Sequence, residues 1–453
     1  MASRSFISFL LTTTIALAGV ASGAPTAPAV RNTPGTFLGV PVSNADFATE
    51  ENTIPSSYIV VYDTDADDEV VTSHQSAITQ VVKKRNLNKR DFNGNLLSTK
   101  VRTGNFMGLR TMSLQADDLM IMEIMNDTTV KYVEADTYVK ATALVAQSDA
   151  PLGLRRLSAA SADDLNLSNQ GTVTDNTPAY TFEDTGGEGI TAYVVDTGIR
   201  ITHSEFQDRA TFGFNAITDE VGGDADDDNG HGSHVSGTIG GRTFGVAKAV
   251  SLVAVKVLDA DGGGANSDVL QGMNFVMEDV ADKGINGTVV MNMSLGGSRS
   301  NAINNAIERM TEFGIVPVVA AGNEAQDTAN TSPGSATNAI TVGAIDASSD
   351  ILADFSNFGE GVDIHGPGVD VLSVGIASDN AMETLSGTSM ASPHVCGLAA
   401  YLMSTEGISA NDEKLQEAVV ARIKELAGTT GAAASGVPND GTTTLIAFNG
   451  NTA

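Results

Sequence analysis

The sequence predicts an α/β protein built on a mostly parallel sheet with helices on both faces, preceded by a small α+β domain. Three observations lead there. Beyond residue 143, apolar β-rich runs (AYVVD, SLVAVKVLD, TVVMNMSL, IVPVVAAG, AITVGAID) alternate with helix-like stretches at Val269–Lys283, Ala302–Phe313 and Leu415–Leu426. Strands that are apolar throughout and separated by helices belong to parallel sheets covered on both faces. Before residue 143, the patterns run strand, helix, two strands, helix, strand, which is the split βαβ arrangement. A length of 453 residues is also enough for two or three such units.

Taken in order, the chain opens with MASRSFISFLLTTTIALAGVASGAPTA, where Arg4 precedes an apolar stretch from Phe6 to Val20 and the small residues Ala21 and Gly23 follow. This is the pattern of a secretory signal peptide over residues 1–23. The alternative is a membrane anchor, but the run is short, carries three threonines and ends in small residues and prolines. Residues 24–56 are rich in Pro, Thr and Asn without a sustained period and are expected to be a linker. SYIVVYD then reads as a strand, Ser73–Val82 as a helix, and Leu97–Leu114 as strand-spaced residues. Leu114–Met125 reads as a second helix and VKYVEADTYVKA as the closing strand, so the small domain ends near Lys140.

Composition narrows the function. The formal net charge is −30, which argues against nucleic-acid binding and against a polybasic membrane-surface role. A single cysteine, Cys396, excludes an intramolecular disulfide framework and a Cys-rich zinc module. The hydrophobic content of 42% is ample for a core, so wholesale disorder is not expected.

Three segments carry chemistry. AYVVDTGI puts Asp196 at the carboxyl end of a predicted strand, where ligands bind in open α/β sheets. NGHGSHVSGT puts His231 at a Gly-flanked helix start, and SGTSMASPHVCGLAAY puts Ser389 at the opening of another helix. A serine hydroxyl is a poor nucleophile until a neighbouring base takes its proton. A histidine can do this when a carboxylate fixes its tautomer and stabilises the imidazolium. Asp196, His231 and Ser389 supply one of each, in the chain order Asp, His, Ser.

On these motifs the chain resembles the subtilisin-like serine proteases, most closely the secreted proteinase K branch. The resemblance runs from VAQSDAPLGLRRLS at Val145 to GVPNDGTTTLIAFNG near Gly450. It implies a subtilisin-like catalytic domain over residues 145–453 and a ferredoxin-like inhibitory propeptide over residues 57–144, removed by self-cleavage near Leu144–Val145. By the same match His231 is the general acid/base, Asp196 supports it and Ser389 is the nucleophile. Asn323 in VVAAGNE is the oxyanion donor, joined by the Ser389 backbone N–H. Gly262, Gly263 and Gly264, with Ser294, Leu295 and Gly296, are backbone edges that pair with an extended peptide. Ser294–Gly296, Ala320, Ala321 and Gly322, and Ser332–Gly334 border the specificity pocket. Their small, uncharged side chains favour a broad apolar or aromatic preference, with Glu324 at the rim able to admit some basic residues. Asp363 in GVDIHGPG, with the carbonyls of Thr337 and Ala339, matches a calcium site of that branch. No cofactor is required for the chemistry. The expected partners are protein and peptide substrates and the chain's own propeptide, with no nucleic acid and no membrane, and the expected form is a secreted monomer.

The remaining features have plainer readings. His234 lies one helical turn from His231, but no third ligand cluster is evident for a metal, and it is read as core. Cys396, two turns beyond Ser389, is read as a small buried hydrophobe. Pro393 is read as an early helix position where a missing N–H costs least. The acidic run Asp219–Asp228 is either an ion site or a solvated loop, and its charge beside His231 is expected to raise that histidine's pKa. Sequons occur at Asn126, Asn166, Asn286, Asn292 and Asn330, of which Asn292 falls in a strand expected to be buried. Two rivals stand beside the endopeptidase reading. One is a secreted, inactive binding protein, against which the complete set of motifs argues. The other is a proprotein convertase, which carries an extra β-rich domain and acidic pockets for dibasic sites.

Overall fold

A computed structural model describes residues 36–37, 39–45, 48, 53–91, 94–138, 144–167, 173–174, 176–218, 220–221, 225–408 and 414–452. The expected signal peptide lies outside the described residues. The chain divides into two compact units, Met1–Ala141 and Thr142–Ala453.

In the first unit, strand β1 (Thr53–Tyr62) is followed by helix α1 (Asp68–Arg85), β2 (Val101–Phe106), β3 (Leu109–Gln115), α2 (Asp118–Met125) and β4 (Val130–Thr137). The antiparallel sheet has the order β2-β3-β1-β4, the ferredoxin-like topology. Asp67 caps α1 by accepting from the Glu69 N–H at 2.8 Å, and Lys83, Lys84 and Arg85 occupy its last turn, so both ends of the helix dipole are matched. Part of the stretch expected to be a linker is ordered. Thr36–Phe37 pairs with Val40–Pro41, and β1 begins at Thr53. The reason is apolar: Val40, Val42, Ala45 and Ala48 are buried with Met112, Met120 and Ile121 of this unit. Those four side chains are too sparse to show a period.

The second unit begins with β5 (Leu144–Gln147), followed by helix α3 (Leu152–Leu157) and by β6 (Tyr180–Glu183), which pairs antiparallel with β5; the expected cleavage bond falls within β5. The main sheet contains β7 (Thr191–Asp196), β8 (Ala210–Asn215), β9 (Ser251–Lys256), β10 (Val289–Met293), β11 (Ile315–Ala320), β12 (Ile340–Asp346) and β13 (Ile364–Pro367). Its order is β8-β9-β7-β10-β11-β12-β13, all parallel. Two short strands, Glu220–Val221 and Ile351–Leu352, add antiparallel pairs to β8 and β12. The chain moves left from β7 to β8 and right from β9 to β10, so the winding reverses beside β7. That places a ligand crevice at the carboxyl end of β7.

Alternate strand residues face opposite layers. Ala192, Val194, Leu252, Ala254, Val316 and Val318 pack on α4 (His231–Gly240), α7 (Thr388–Glu406) and α8 (Leu415–Thr430). Tyr193, Val195, Val253, Val255, Ile315 and Val319 pack on α5 (Asn266–Lys283) and α6 (Asn301–Glu312). Helix α7 is buried on almost every side from Thr388 to Met403. Its small and apolar residues let β10–β13 and α4 approach it closely. Cys396 is fully buried within it, and burial pushes its thiol well above the usual range, consistent with a small hydrophobe. Asn126, Asn166, Asn286 and Asn330 are exposed, whereas Asn292 is completely buried. Among the described residues no helix is long and apolar enough to cross a membrane.

Several histidines are enclosed in this unit. Burial pushes His234, His365 and His394 down to about 4 each. An unfolded histidine titrates near 6.5. The unfolded chain therefore takes up protons that the folded chain refuses between those values, and stability is lost as pH falls from about 6.5 to about 4. The calorimetric unfolding midpoint is expected to drop across that window. His365→Gln, whose amide can still donate to the Thr443 carbonyl that His365 contacts at 2.8 Å, should flatten the drop. A midpoint independent of pH in this range refutes the account.

Candidate functional site

Asp196 ends β7 and is completely buried. Its Oδ1 accepts from the Thr197 N–H at 2.8 Å and from His231 Nδ1 at 2.7 Å, which fixes the ring with its proton on Nδ1 and leaves Nε2 facing outward. His231 is the first residue of α4, and Gly230 before it has φ 110°, a conformation a side chain would strain.

The acidic run is only partly a solvated loop. Asp227 is buried, and its Oδ1 accepts from Thr197 Oγ1 at 2.8 Å, the Asn229 N–H at 3.1 Å and the Gly230 N–H at 2.8 Å. Its Oδ2 accepts from the Ser233 N–H at 2.8 Å in the first turn of α4. Thr197 Oγ1 in turn accepts from the Gly232 N–H at 2.9 Å. Asp227 thus staples the end of β7 to the start of α4, fixing Asp196 against His231. Asp228 pairs with Lys256 at 2.7 Å, and the same ammonium donates to the Thr197 carbonyl at 2.6 Å. For His231, burial works against the charged ring, but the charge and hydrogen bond of Asp196 and the charge of Asp227 outweigh it and raise the pKa.

Ser389 is the second residue of α7, so its backbone N–H has no partner within the helix. Asn323 sits opposite. Its Oδ1 accepts from the Thr388 N–H at 2.8 Å and Thr388 Oγ1 at 2.9 Å. Both partners are donors, so the amide orientation is fixed and Nδ2 is its outward donor. Asn323 Nδ2 and the Ser389 nitrogen each lie 3.6 Å from the point where a Cβ on Gly387 would stand, so two N–H donors flank one small space. Gly322 has φ 106°, and a Cβ there would meet Asn357 Nδ2 at 2.3 Å, so the turn that presents Asn323 requires glycine. Buried Asn357 braces this loop. It accepts from the Glu324 and Gln326 N–H groups and donates to the Ala321 carbonyl and to Glu324 Oε2.

His231 and Ser389 line one cleft of about 580 Å³. Gly262, Gly263 and Gly264 form one wall, Ser294, Leu295 and Gly296 the other, with Ser332 and Pro333 beyond. Ala320 and Ala321 are buried, and their carbonyls stand behind Gly334. Glu324 is turned onto Asn357. Ser389 Oγ donates to the Ser294 carbonyl at 3.1 Å, and no hydrogen bond joins it to His231 among the described residues. Catalytic hydrogen bonds are often loose without substrate and tighten in the complex. His234 is buried and its Nε2 meets the Val371 carbonyl at 3.0 Å, as a core residue would.

Asp363, expected at a calcium site with the carbonyls of Thr337 and Ala339, accepts at Oδ1 from Lys424 Nζ at 2.7 Å and at Oδ2 from the Thr341 N–H at 3.0 Å.

Sequence reasoning found Asp196, His231, Asn323 and Ser389 but missed the staple at Asp227 and Thr197 and the brace at Asn357. The spacing of Asp227 four residues before His231 was the one available signal.

A profile of the subtilase family matches residues 187–438. The chain is 41% identical to Subtilisin-like protease 2 of Pseudogymnoascus destructans over 88% of this chain and 91% of that one. It is 42% identical to Alkaline protease 1 of Aspergillus clavatus over 88% and 92%. It is also similar to the crystal structure of a cold adapted subtilisin-like serine proteinase, with 36% identity, a TM-score of 0.55, and coverage of 67% of this chain and 99% of that one.

The staple has a measurable consequence. The ring of His231, followed by NMR, should titrate above an ordinary histidine, and Asp227→Asn should move that titration down because one negative charge is removed. An unchanged titration in the folded variant refutes the electrostatic role given to Asp227.

Proposed function

Since the chain belongs to the subtilase family of serine proteases and hydrolyses peptide bonds, we propose that it is a secreted endopeptidase made as a self-processed zymogen, with Ser389 as nucleophile. The observation that carries this reading is the buried Asp196–His231 hydrogen bond of 2.7 Å at the mouth of the cleft that also holds Ser389.

His231, neutral and protonated on Nδ1, takes the Ser389 proton at Nε2 as Oγ attacks the peptide carbonyl. The imidazolium that results is stabilised by Asp196, which stays ionised. The carbonyl oxygen becomes an oxyanion, met by Asn323 Nδ2 and the Ser389 N–H. His231 returns the proton to the leaving amine, and water, activated by the same ring, releases the acyl group. The reaction requires neutral His231, so its raised pKa sets the acid limb of kcat/KM above that of an ordinary histidine. Losing an oxyanion donor costs about 10²–10³ in kcat, a magnitude measured on a member of this family rather than deduced from this geometry.

The glycine wall supports pairing with an extended substrate backbone, because glycines admit close approach. The small residues of the other wall support a broad apolar or aromatic preference. The separate ferredoxin-like unit supports the propeptide reading, with the cut at or near Leu144–Val145.

Purified Ser389→Ala is expected to keep its propeptide by mass and to leave casein intact. The parent should be secreted with a new N-terminus near Val145, and persistent autoprocessing of the variant would contradict the assignment. A peptide library should be cleaved mainly after apolar and aromatic residues; strict dibasic specificity would sink the specificity reading.

A further inference from the structure

The carbonyl of Ser389 lies four residues before Pro393 inside helix α7. In an uninterrupted helix it would accept from the N–H of residue 393, which proline lacks. Pro393 is therefore not at a costless early position, as the sequence suggested: its missing N–H frees an acceptor on the residue that opens the active site. That acceptor is taken by a side chain from another element. Ser294 Oγ donates to the Ser389 carbonyl at 2.8 Å.

Ser294 has one hydroxyl proton and has spent it on that carbonyl. Its other neighbour must then be a donor, and it is: Asn292 Nδ2 donates to Ser294 Oγ at 2.9 Å. Asn292 is completely buried in β10, where an amide with an unmet end is costly. Its acceptor end is met by Ser392 Oγ at 2.8 Å, one turn along α7 from Ser389. The bonds run in one direction, from Ser392 to Asn292 and from Asn292 through Ser294 to the Ser389 carbonyl. The loop leaves α7, crosses the end of β10 and returns to α7 at the reacting residue.

We propose that Asn292 is a positioning residue for Ser389, acting through Ser294. It holds the Ser389 carbonyl, and so the first turn of α7 that carries the Oγ and the backbone N–H, against the substrate wall that begins at Ser294. This rests on the assignment of Ser389 as the nucleophile. The polarity of the relay requires an amide. A carboxylate at 292 has nearly the same shape but only accepts, so it would draw the Ser294 proton to itself and strip it from the Ser389 carbonyl.

The test measures kcat and KM on a chromogenic peptide, together with the unfolding midpoint, for Asn292→Asp, Ser294→Ala, Ser294→Thr and the double variant Asn292→Asp/Ser294→Ala. A misplacement on the ångström scale can cost about 10²-fold, so Asn292→Asp and Ser294→Ala should each lower kcat by about 10- to 10²-fold. KM should stay within about twofold, since the walls of the cleft remain. Ser294→Thr keeps the hydroxyl and should lower kcat less than Ser294→Ala does. The double variant should be no slower than Ser294→Ala alone, because both changes break one link. The proposal is overturned by a folded Asn292→Asp with kcat within about twofold of the parent, by a loss carried in KM, or by multiplicative losses in the double variant. If Asn292→Asp does not fold, the contrast between Ser294→Ala and Ser294→Thr decides: equal kcat in those two overturns it. Ser389→Ala separates the two claims. An active Ser389→Ala removes the nucleophile assignment itself, whereas an inert Ser389→Ala beside a fully active Asn292→Asp removes only the relay.

Discussion

Everything at the active end of the sheet depends on keeping a carboxylate charged where water does not reach. Asp196 is completely buried, and an uncompensated buried charge is costly enough to be neutralised or expelled. Here the compensation falls on one oxygen, and Oδ2 has no hydrogen-bond partner among the described residues. The Thr197 N–H and His231 bond its Oδ1, and the Lys256 ammonium lies one residue away on the Thr197 carbonyl. The same requirement orders the chain around it. Because Asp196 must touch His231, the end of β7 and the start of α4 have to be held in register, and Asp227 and Thr197 do this with four backbone donors and one side-chain donor. The active end is therefore rigid on its histidine side for electrostatic reasons and on its serine side because of the hydrogen bonds around Pro393.

Much of this was legible in the sequence. The continuous apolar runs of β7, β9, β10, β11 and β12 announced a doubly covered parallel sheet, and the structure explains why. Val194 and Val195 face different helical layers, so both faces of these strands are lined mainly by apolar residues. Strands β8 and β13 were not seen, because ATFGFN and IHGP are short and broken by glycine or proline. The residues in direct line with the chemistry sat in dense local motifs. Those that hold them in place did not. Asp227 was hidden in an acidic run whose composition suggested solvent, although its burial depends on donors from Thr197 and Ser233 that only the fold brings near. The role of Asn292 depends on a serine 100 residues away in sequence. No local pattern signals a hydrogen bond of that range.

Charge is spent unevenly in this chain. Against 55 acidic residues there are 25 Lys and Arg, and several of those cations join segments distant in sequence. Arg156 is nearly fully buried and grips Asp350 through Nε and Nη2 at 2.6 and 3.0 Å, tying residues almost two hundred positions apart. Lys424 ties α8 to Asp363, and Lys256 ties β9 to Asp228. In a chain with one cysteine, these ionic joints connect distant segments where a disulfide or a divalent ion would serve in other proteins. The excess of acids over bases still leaves the chain with a formal net charge of −30.

The buried amide at 292 carries a second consequence, for biosynthesis. Asn292-Met293-Ser294 is an acceptor sequence for N-linked glycan, and its asparagine is also the interior member of the relay. A sugar attached there could not be accommodated: the amide nitrogen that would carry it already donates to Ser294, inside a packed core. On the proposed secreted reading, this segment has to be enclosed by β7, β11 and α7 before a glycosyltransferase reaches it. Two of those elements, β11 and α7, lie downstream in the chain. The timing of core closure relative to translocation therefore becomes a determinant of how much usable enzyme each round of synthesis yields.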